Sequence, residues 1–160
     1  MVFEGPKKRT WSGLGRFLAE TLSLAVRTPQ MMKLGRGRTI SHGFRERLML
    51  VVTGVNRCRY CTFIHSKAAG AAGVAPEQIA KLLDGDLSDV SSEELPALQF
   101  AARWAEADAV VDNSEFERLQ ATCGDDVSDQ ILLALRMIRY GNLTGNTFDA
   151  AFRRSGEKPT

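Results

Sequence analysis

The sequence lacks any long hydrophobic run. Of its 160 residues, 44% are hydrophobic and 25% are charged, and no apolar stretch approaches the roughly 20 residues that a membrane-spanning helix needs. The basic start of the chain is not followed by a signal-peptide pattern, since Arg16 and Glu20 interrupt the next apolar segment. We therefore expect a soluble, cytoplasmic protein with no membrane partner, long enough for one domain with its own core.

Strand patterns are nearly absent as well. Apolar residues recur at spacings of three and four, and no stretch alternates cleanly between apolar and polar residues. The sequence therefore predicts an all-α fold of helices joined by short turns. The predicted helices cover about residues 11–26, 28–34, 42–55, 57–72, 76–83 and 113–123, and a further one begins between positions 92 and 96 and ends near 108. The predicted caps are Ser41, Asn56 and Asp112 for the helices that follow them, and Ser128 for a last helix. The first helix has an apolar stripe on one face, formed by Leu14, Phe17, Leu18, Leu22 and Ala25.

A large net charge is also missing, because the total is only +2. The charge is nevertheless uneven: residues 1–47 hold ten Lys or Arg against three Asp or Glu, and the remaining residues hold 11 against 16. Without a groove-reading motif or interleaved aromatic residues, we expect no nucleic-acid partner. We expect residues 1–40 to form a basic helical segment that packs on the acidic core or a neighbouring subunit, residues 41–153 to form the core, and residues 154–160 to fray.

Cysteines are few and odd in number, which argues against a framework of structural disulfides. Cys123 stands alone before Gly124 and is explained as a small apolar residue. Cys58 and Cys61 are three residues apart, and His65 follows four residues later. On a helix these spacings place two thiols and an imidazole on one face.

Two thiols and an imidazole on one helical face are typical of redox chemistry. Backbone N–H groups and the helix dipole stabilise a thiolate near a helix N-terminus, and Cys58 gains most from this effect. His65 lies one turn after Cys61 and is placed to take its proton, which makes Cys61 the better-served nucleophile. Once one sulfur is oxidised, the other can close an intramolecular disulfide.

Glu46 is a candidate partner for His65. It lies on the helix that precedes the cysteines, and antiparallel packing of the two helices would bring it beside the turn from Cys61 to His65, where it could orient the ring or relay a proton. Spacing alone favours a surface glutamate, flanked by Arg45 and Arg47, on a solvated face.

Metal and cofactor sites are less consistent with the pattern. Cys58, Cys61 and His65 could be three zinc ligands with Glu46 or Cys123 as a fourth, but a structural zinc site usually has a second close-spaced couple, and this sequence has none. Covalent haem attachment would need His at position 62, which is Thr. A thioredoxin fold would need strands. We therefore expect no metal and no cofactor.

The spacing Glu46-x11-Cys58-x-x-Cys61-x3-His65 resembles the core of the alkylhydroperoxidase AhpD-like branch of the carboxymuconolactone decarboxylase family. The likeness extends over about residues 40–150, through segments such as HSKAAGAAGVAPEQIAKL and ALQFAARWAE. It implies an all-α fold assembled as a homo-oligomer, a trimer or a hexamer. It also implies that Cys61 is the peroxidatic thiol, Cys58 its resolving partner, and Glu46 and His65 a proton relay.

Tyr60 departs from this pattern, since well-studied alkylhydroperoxidases of this type carry His directly before the second cysteine. A tyrosine is a poor base near neutral pH, which implies a slower peroxidase.

The resemblance implies a cofactor-free antioxidant enzyme. It would reduce hydroperoxides or partner disulfides through Cys58 and Cys61, with a protein or a small thiol as the electron donor. Two alternatives stay open: a lactone decarboxylase, like the founding members of the family, and a non-enzymatic module that binds zinc or holds an acidic partner on its basic segment.

Overall fold

Eight helices and no strand make up residues 8–156, the part of the chain whose backbone the computed structural model describes; side chains are described for residues 8–152. The all-α prediction is confirmed. None of these helices combines the length and the hydropathy of a membrane span. The helices are α1 (Leu14–Ala25), α2 (Thr28–Gly35), α3 (His42–Asn56), α4 (Arg59–Ala71), α5 (Pro76–Asp84), α6 (Leu95–Glu106), α7 (Asn113–Cys123) and α8 (Asp125–Gly156).

Helix α3 is the centre of the fold. It packs against α4, α5, α6 and α8, and most of its residues after Arg47 are buried, which is the pattern of a helix covered on all sides. Ser41 caps it as predicted, with its side chain accepting a hydrogen bond from the backbone N–H of Phe44. Because neighbouring helices hold α3 on each side, side chains on α3 have a fixed position.

The turn from α3 to α4 differs from the prediction, and Asn56 is not the cap of α4. Helix α3 continues through Asn56 and ends at Arg57, which is left-handed at φ 54°. Cys58 is extended and is itself the N-cap of α4, its sulfur accepting from the backbone N–H of Cys61. The Asn56 amide is buried and donates instead to Oδ1 of Asn142 on α8, so it is not available to cap a helix.

Helix α8 begins before its predicted cap. Ser128 is buried within it, while Asp125 and Asp126 occupy its first turn, where carboxylates interact favourably with the helix dipole. The helix then runs without a break through Gly141 and Gly145 to Gly156. The tail expected to fray, 154–160, therefore begins inside α8, and positions 157–160 lie outside the described residues.

The N-terminal segment runs along α8 and reaches the end of α6. The Arg9 guanidinium donates to the carbonyl of Ala105, and Lys33 pairs with Asp126 at 2.5 Å. Most of the predicted apolar stripe of α1 faces solvent, since Leu14, Leu18 and Leu22 are 54–70% exposed, whereas Phe17 stacks on Tyr140 of α8. Part of the expected basic segment, residues 1–7, lies outside the described residues.

Candidate active site

Four predicted site residues meet where α3, α4 and α8 pack together. Cys58 is the N-cap of α4, and Cys61 and His65 follow on that helix one turn apart. Glu46 lies on α3, and its Oε2 is 2.7 Å from Nδ1 of His65. Because Glu46 is only 3% exposed, the interpretation as a surface glutamate is wrong. The antiparallel packing of α3 and α4 brings the pair together.

The two sulfurs lie 2.8 Å apart, close enough to share a thiol proton in a hydrogen bond. That hydrogen bond lowers the pKa of Cys58 to about 6 against the opposing effect of burial, with further help from the backbone N–H groups of Cys61 and Tyr60 and from the charge of Lys8. The hydrogen bond with Cys58 and burial both raise the pKa of Cys61, so the proton stays on Cys61. The pair therefore shares one proton, with the negative charge on Cys58.

Cys61 is the more accessible of the two cysteines. Cys58 is fully buried, whereas Cys61 is 8% exposed and lines a cavity of about 560 Å³. Before Cys61 can attack a molecule in that cavity, its proton must leave. The Cys58 thiolate, 2.8 Å away, is a base within direct reach of this proton.

The His65–Glu46 pair is held by a third residue. Burial would raise the pKa of Glu46, but hydrogen bonds from His65 and from the Arg45 guanidinium, 2.8 Å from Oε1, together hold that pKa below its usual value. An ionised carboxylate can only accept hydrogen bonds, so Nδ1 of His65 carries a proton and donates a hydrogen bond to Glu46. This arrangement directs proton exchange to the other ring nitrogen, Nε2.

The cavity beside the thiols is mainly apolar. Cys61 and His65 open into it, and so does Tyr60, the residue in the place of the usual His. No Lys or Arg is found among the described residues that line it. Most of its remaining wall comes from Met49, Ile64, Met137, Ile138 and Phe148.

Helix α8 closes the site behind the sulfurs. A Cβ at Gly145 would lie 2.9 Å from the Cys58 sulfur, and one at Gly141 would lie 4.0 Å from the Cys61 sulfur. Between them, the buried Asn142 donates to Oγ1 of Thr53 at 3.2 Å, and its side chain also hydrogen bonds to Cys61, which opposes the rise in the pKa of that thiol. The glycines thus permit a close approach of backbone and sulfur.

A protein-family model matches the part of the chain that holds these four residues. The model of the carboxymuconolactone decarboxylase family matches residues 24–107, slightly more than half of the chain. The chain belongs to the carboxymuconolactone decarboxylase family. No curated protein and no solved structure matches the chain.

The family match covers only part of the site. Glu46, Cys58, Cys61 and His65 fall inside residues 24–107, whereas the N-terminal segment before residue 24 and the whole of α8 fall outside. Members of this family are typically enzymes, and the family includes decarboxylases as well as AhpD-like proteins. Membership therefore supports an enzymatic function of one of these two kinds.

The sequence analysis missed the contribution of α8. Asn142 and Gly145 lie about 80 residues after the cysteines, so no local spacing connects them. A signal was present in the repeated Gly-Asn pair at positions 141–142 and 145–146, which puts two glycines and two amides on adjacent turns of a helix. Within the described residues, no group of three or more His, Cys, Asp or Glu side chains is placed to hold a metal ion.

Proposed function

We propose that this protein is a thiol-dependent peroxidase of the AhpD-like kind that cycles Cys58 and Cys61 between dithiol and disulfide. The observation that carries the proposal is the pair of sulfurs 2.8 Å apart, sharing one proton at the wall of an apolar cavity beside His65. A short movement brings such a pair to the bonding distance of about 2 Å.

The reaction begins when the Cys61 proton moves to Cys58. The Cys61 thiolate attacks the outer oxygen of a hydroperoxide, the O–O bond breaks, and the sulfur becomes a sulfenic acid. The departing alkoxide takes a proton delivered through His65 and leaves as an alcohol. Cys58 then attacks the sulfenic sulfur, so that the disulfide forms and water is released. Two electrons pass from the sulfurs to the hydroperoxide.

A thiol donor completes the cycle. Its thiolate attacks the Cys61 sulfur, which faces the cavity, and Cys58 departs as the thiolate that its low pKa favours. A second donor thiol releases Cys61, and the two donor sulfurs are joined in a disulfide. The donor is a small thiol or a thiol protein, and a partner disulfide is an alternative oxidant for the same dithiol.

The cavity favours an organic hydroperoxide as substrate. Its walls offer apolar side chains to an alkyl or aryl group, whose burial is favourable by about 25 cal/mol per Å². A lactone acid, the substrate type of the alternative decarboxylase function, carries carboxylates that would be buried without a partner, since the described lining has no cationic Lys or Arg.

We also propose that the chain works as a homo-oligomer, a trimer or a hexamer. Leu14, Leu18 and Leu22 on α1 and Val26 at its C-cap recur every four residues and are all more than half exposed. This set, the α1 ridge, is a continuous apolar face of the kind that subunit interfaces bury. A second copy is the suggested occupant because the basic first 47 residues complement the acidic remainder.

Substitution of the accessible thiol tests the peroxidase. We expect Cys61→Ser to reduce the consumption of cumene hydroperoxide, with dithiothreitol as donor, to the uncatalysed rate. Cys123→Ser is the matched control, because Cys123 ends α7 away from the cavity, and it should keep full activity. Full activity of the Cys61 variant would refute the proposal.

The decarboxylase alternative has its own assay. An unsaturated lactone acid supplied without any thiol reductant should be left unchanged by the protein. Turnover under these conditions, retained in Cys61→Ser, would place the protein with the decarboxylases.

A further inference from the structure

The residues Lys8 to Trp11 form a strap that is fixed along one stretch of α8. The carbonyl of Arg9 accepts from Nδ2 of Asn146 at 3.0 Å. The backbone N–H of Trp11 donates to Thr147 at 3.0 Å, and its indole N–H donates to Thr144 at 3.1 Å. This segment, the N-terminal strap, therefore follows the same turns of α8 that approach the Cys58 sulfur.

The first residue of the N-terminal strap, Lys8, is paired with a buried carboxylate. Nζ of Lys8 is 2.6 Å from one oxygen of Asp149, and the Arg59 guanidinium is 2.6 Å from the other. The Asp149 side chain is only 4% exposed. Two cations are thus paired with one carboxylate.

This cluster of Lys8, Arg59 and Asp149 is close to Cys58 both along the chain and along α8. Arg59 follows Cys58 directly in the chain, and Asp149 lies one helical turn after Gly145, the residue whose Cβ position is 2.9 Å from the Cys58 sulfur. Cys58 is fully buried, and a buried thiolate is costly unless nearby positive charge and hydrogen bonds compensate it. Among the charges, that of Lys8 also contributes to the low pKa of Cys58.

The other charged groups near the sulfurs largely compensate one another. On α3, the Glu46 carboxylate is paired with the Arg45 guanidinium and hydrogen bonded to His65 of α4. On α4, Arg59 is shared between Asp149 and the hydroxyl of Tyr60. On α8, Asp149 is the acidic group of the cluster. The strap adds Lys8 to this set, whereas its other cation, Arg9, donates to the carbonyls of Ala105 and Glu106 at the end of α6.

We propose that Lys8 is a positioning residue that stabilises Cys58 as a thiolate and so shifts the dithiol–disulfide equilibrium toward the dithiol. The inference rests on the proposed redox cycle. A stabilised thiolate makes the reduced protein more favourable and its disulfide a stronger oxidant. Lys8 lies before residues 24–107, the segment that the family model matches.

Exchange with glutathione measures this equilibrium. The protein disulfide takes two electrons from two glutathione molecules, whose sulfurs join in one disulfide. Of their two protons, one goes to Cys61 and the other to solvent, and Cys58 is left as the thiolate. Loss of Lys8 disfavours that thiolate and therefore favours the protein disulfide.

The experiment compares the full-length wild type with three variants in glutathione redox buffers. For Lys8→Gln at pH 7 we expect the reduction equilibrium constant to fall roughly threefold, the effect of about half a unit in the pKa of one thiol. At pH 5 the difference should vanish, because Cys58 is then protonated in both proteins. Lys8→Arg and Lys33→Gln, which removes a surface pair with Asp126, should match the wild type.

The outcomes separate the inference from the function it rests on. Equal constants for Lys8→Gln and the wild type at pH 7 would overturn the role of Lys8, as would a shift that persists at pH 5 or appears in Lys8→Arg. If the wild type forms no disulfide at any buffer ratio, the redox cycle itself fails. The pH midpoint of thiolate absorbance then still decides the inference: Lys8→Gln must raise it, and an unchanged midpoint rejects it.

Discussion

The more acidic cysteine of this site and the more accessible one are different residues. Cys58 has the low pKa because it caps α4 and accepts a hydrogen bond from the Cys61 thiol, yet it is fully buried. Cys61 lines the cavity but retains the proton. Exchange of this proton across 2.8 Å converts one state into the other, so a single ionisation can serve both the attacking and the resolving sulfur.

The shared proton makes the first thiol ionisation measurable. Thiolate absorbance of the reduced protein should rise with a midpoint near pH 6, which reports the pKa of Cys58. Cys58→Ser should remove this transition, and Cys61→Ala should move it to higher pH because the strongest hydrogen bond to the Cys58 sulfur is lost. Cys123→Ser should leave it unchanged; a midpoint near the ordinary thiol pKa of about 8.5 in the wild type would disprove the shared proton.

Glu46 should matter for rate more than for thiol acidity. In Glu46→Gln the side chain no longer fixes His65 by charge, and we expect hydroperoxide turnover to fall about 100-fold, the usual scale for loss of acid–base assistance. The absorbance midpoint of Cys58 should stay within a few tenths of a unit. Glu77→Gln, at an exposed position on α5, is the control. A normal turnover rate in Glu46→Gln would exclude the relay.

Residues close in sequence were the predictable part of the site. Cys58, Cys61 and His65 follow from helical spacing, and Glu46 lies on the adjoining helix, so a single helix–helix packing brings it to His65. Asn142 was not predictable in this way. Its contacts with Thr53 and Asn56 depend on how α8 crosses α3, which no local pattern in the sequence specifies.

At the scale of the element, periodicity predicted the helices better than their ends. Ser41 and Asp112 cap α3 and α7 as expected. Asn56 and Ser128 have equally good capping side chains, but both lie inside helices and are buried by tertiary packing. Cys58 was not recognised as a cap because a sulfur is an unusual acceptor for a backbone N–H.

Two glycines of α8 offer a matched test of close packing. Each is interior to the helix, where alanine is intrinsically favoured by about 1 kcal/mol. Gly141→Ala leaves 4.0 Å to the Cys61 sulfur and should stabilise the protein by up to that amount. Gly145→Ala places a carbon 2.9 Å from the Cys58 sulfur and should cost about 1–3 kcal/mol through overpacking, while slowing thiol alkylation.

Urea unfolding of the reduced variants and iodoacetamide kinetics measure both effects. Equal behaviour of the two alanine variants would mean that α8 does not approach the sulfurs as closely as the structure indicates.

At the scale of the whole molecule, the uneven charge of the sequence is partly paired within the chain. Lys8 binds Asp149, Lys33 binds Asp126, and Arg47 forms two hydrogen bonds with Glu94. The apolar α1 ridge has no comparable partner within the described residues, since its side chains face solvent. The amphipathic pattern of α1 was visible in the sequence, but what its face packs against was not.

A charge in the α1 ridge should separate subunits. Leu18→Glu places a carboxylate at the centre of the proposed interface, where burial without a partner is unfavourable. We expect its mass by light scattering to fall to that of a smaller species, while Val110→Glu, at a more exposed position outside α1 (72% against 54%), keeps the wild-type mass. A monomeric wild type, or an unchanged mass for Leu18→Glu, would reject the α1 ridge as the interface.

The central claim is that Cys58 and Cys61 form a redox pair, and counting thiols tests it most directly. After one equivalent of cumene hydroperoxide is added to the fully reduced protein, mass spectrometry of alkylated peptides should show that two of the three thiols are lost, joined in one chain as a Cys58–Cys61 disulfide, with Cys123 still free. Three free thiols with the hydroperoxide unconsumed would contradict the account.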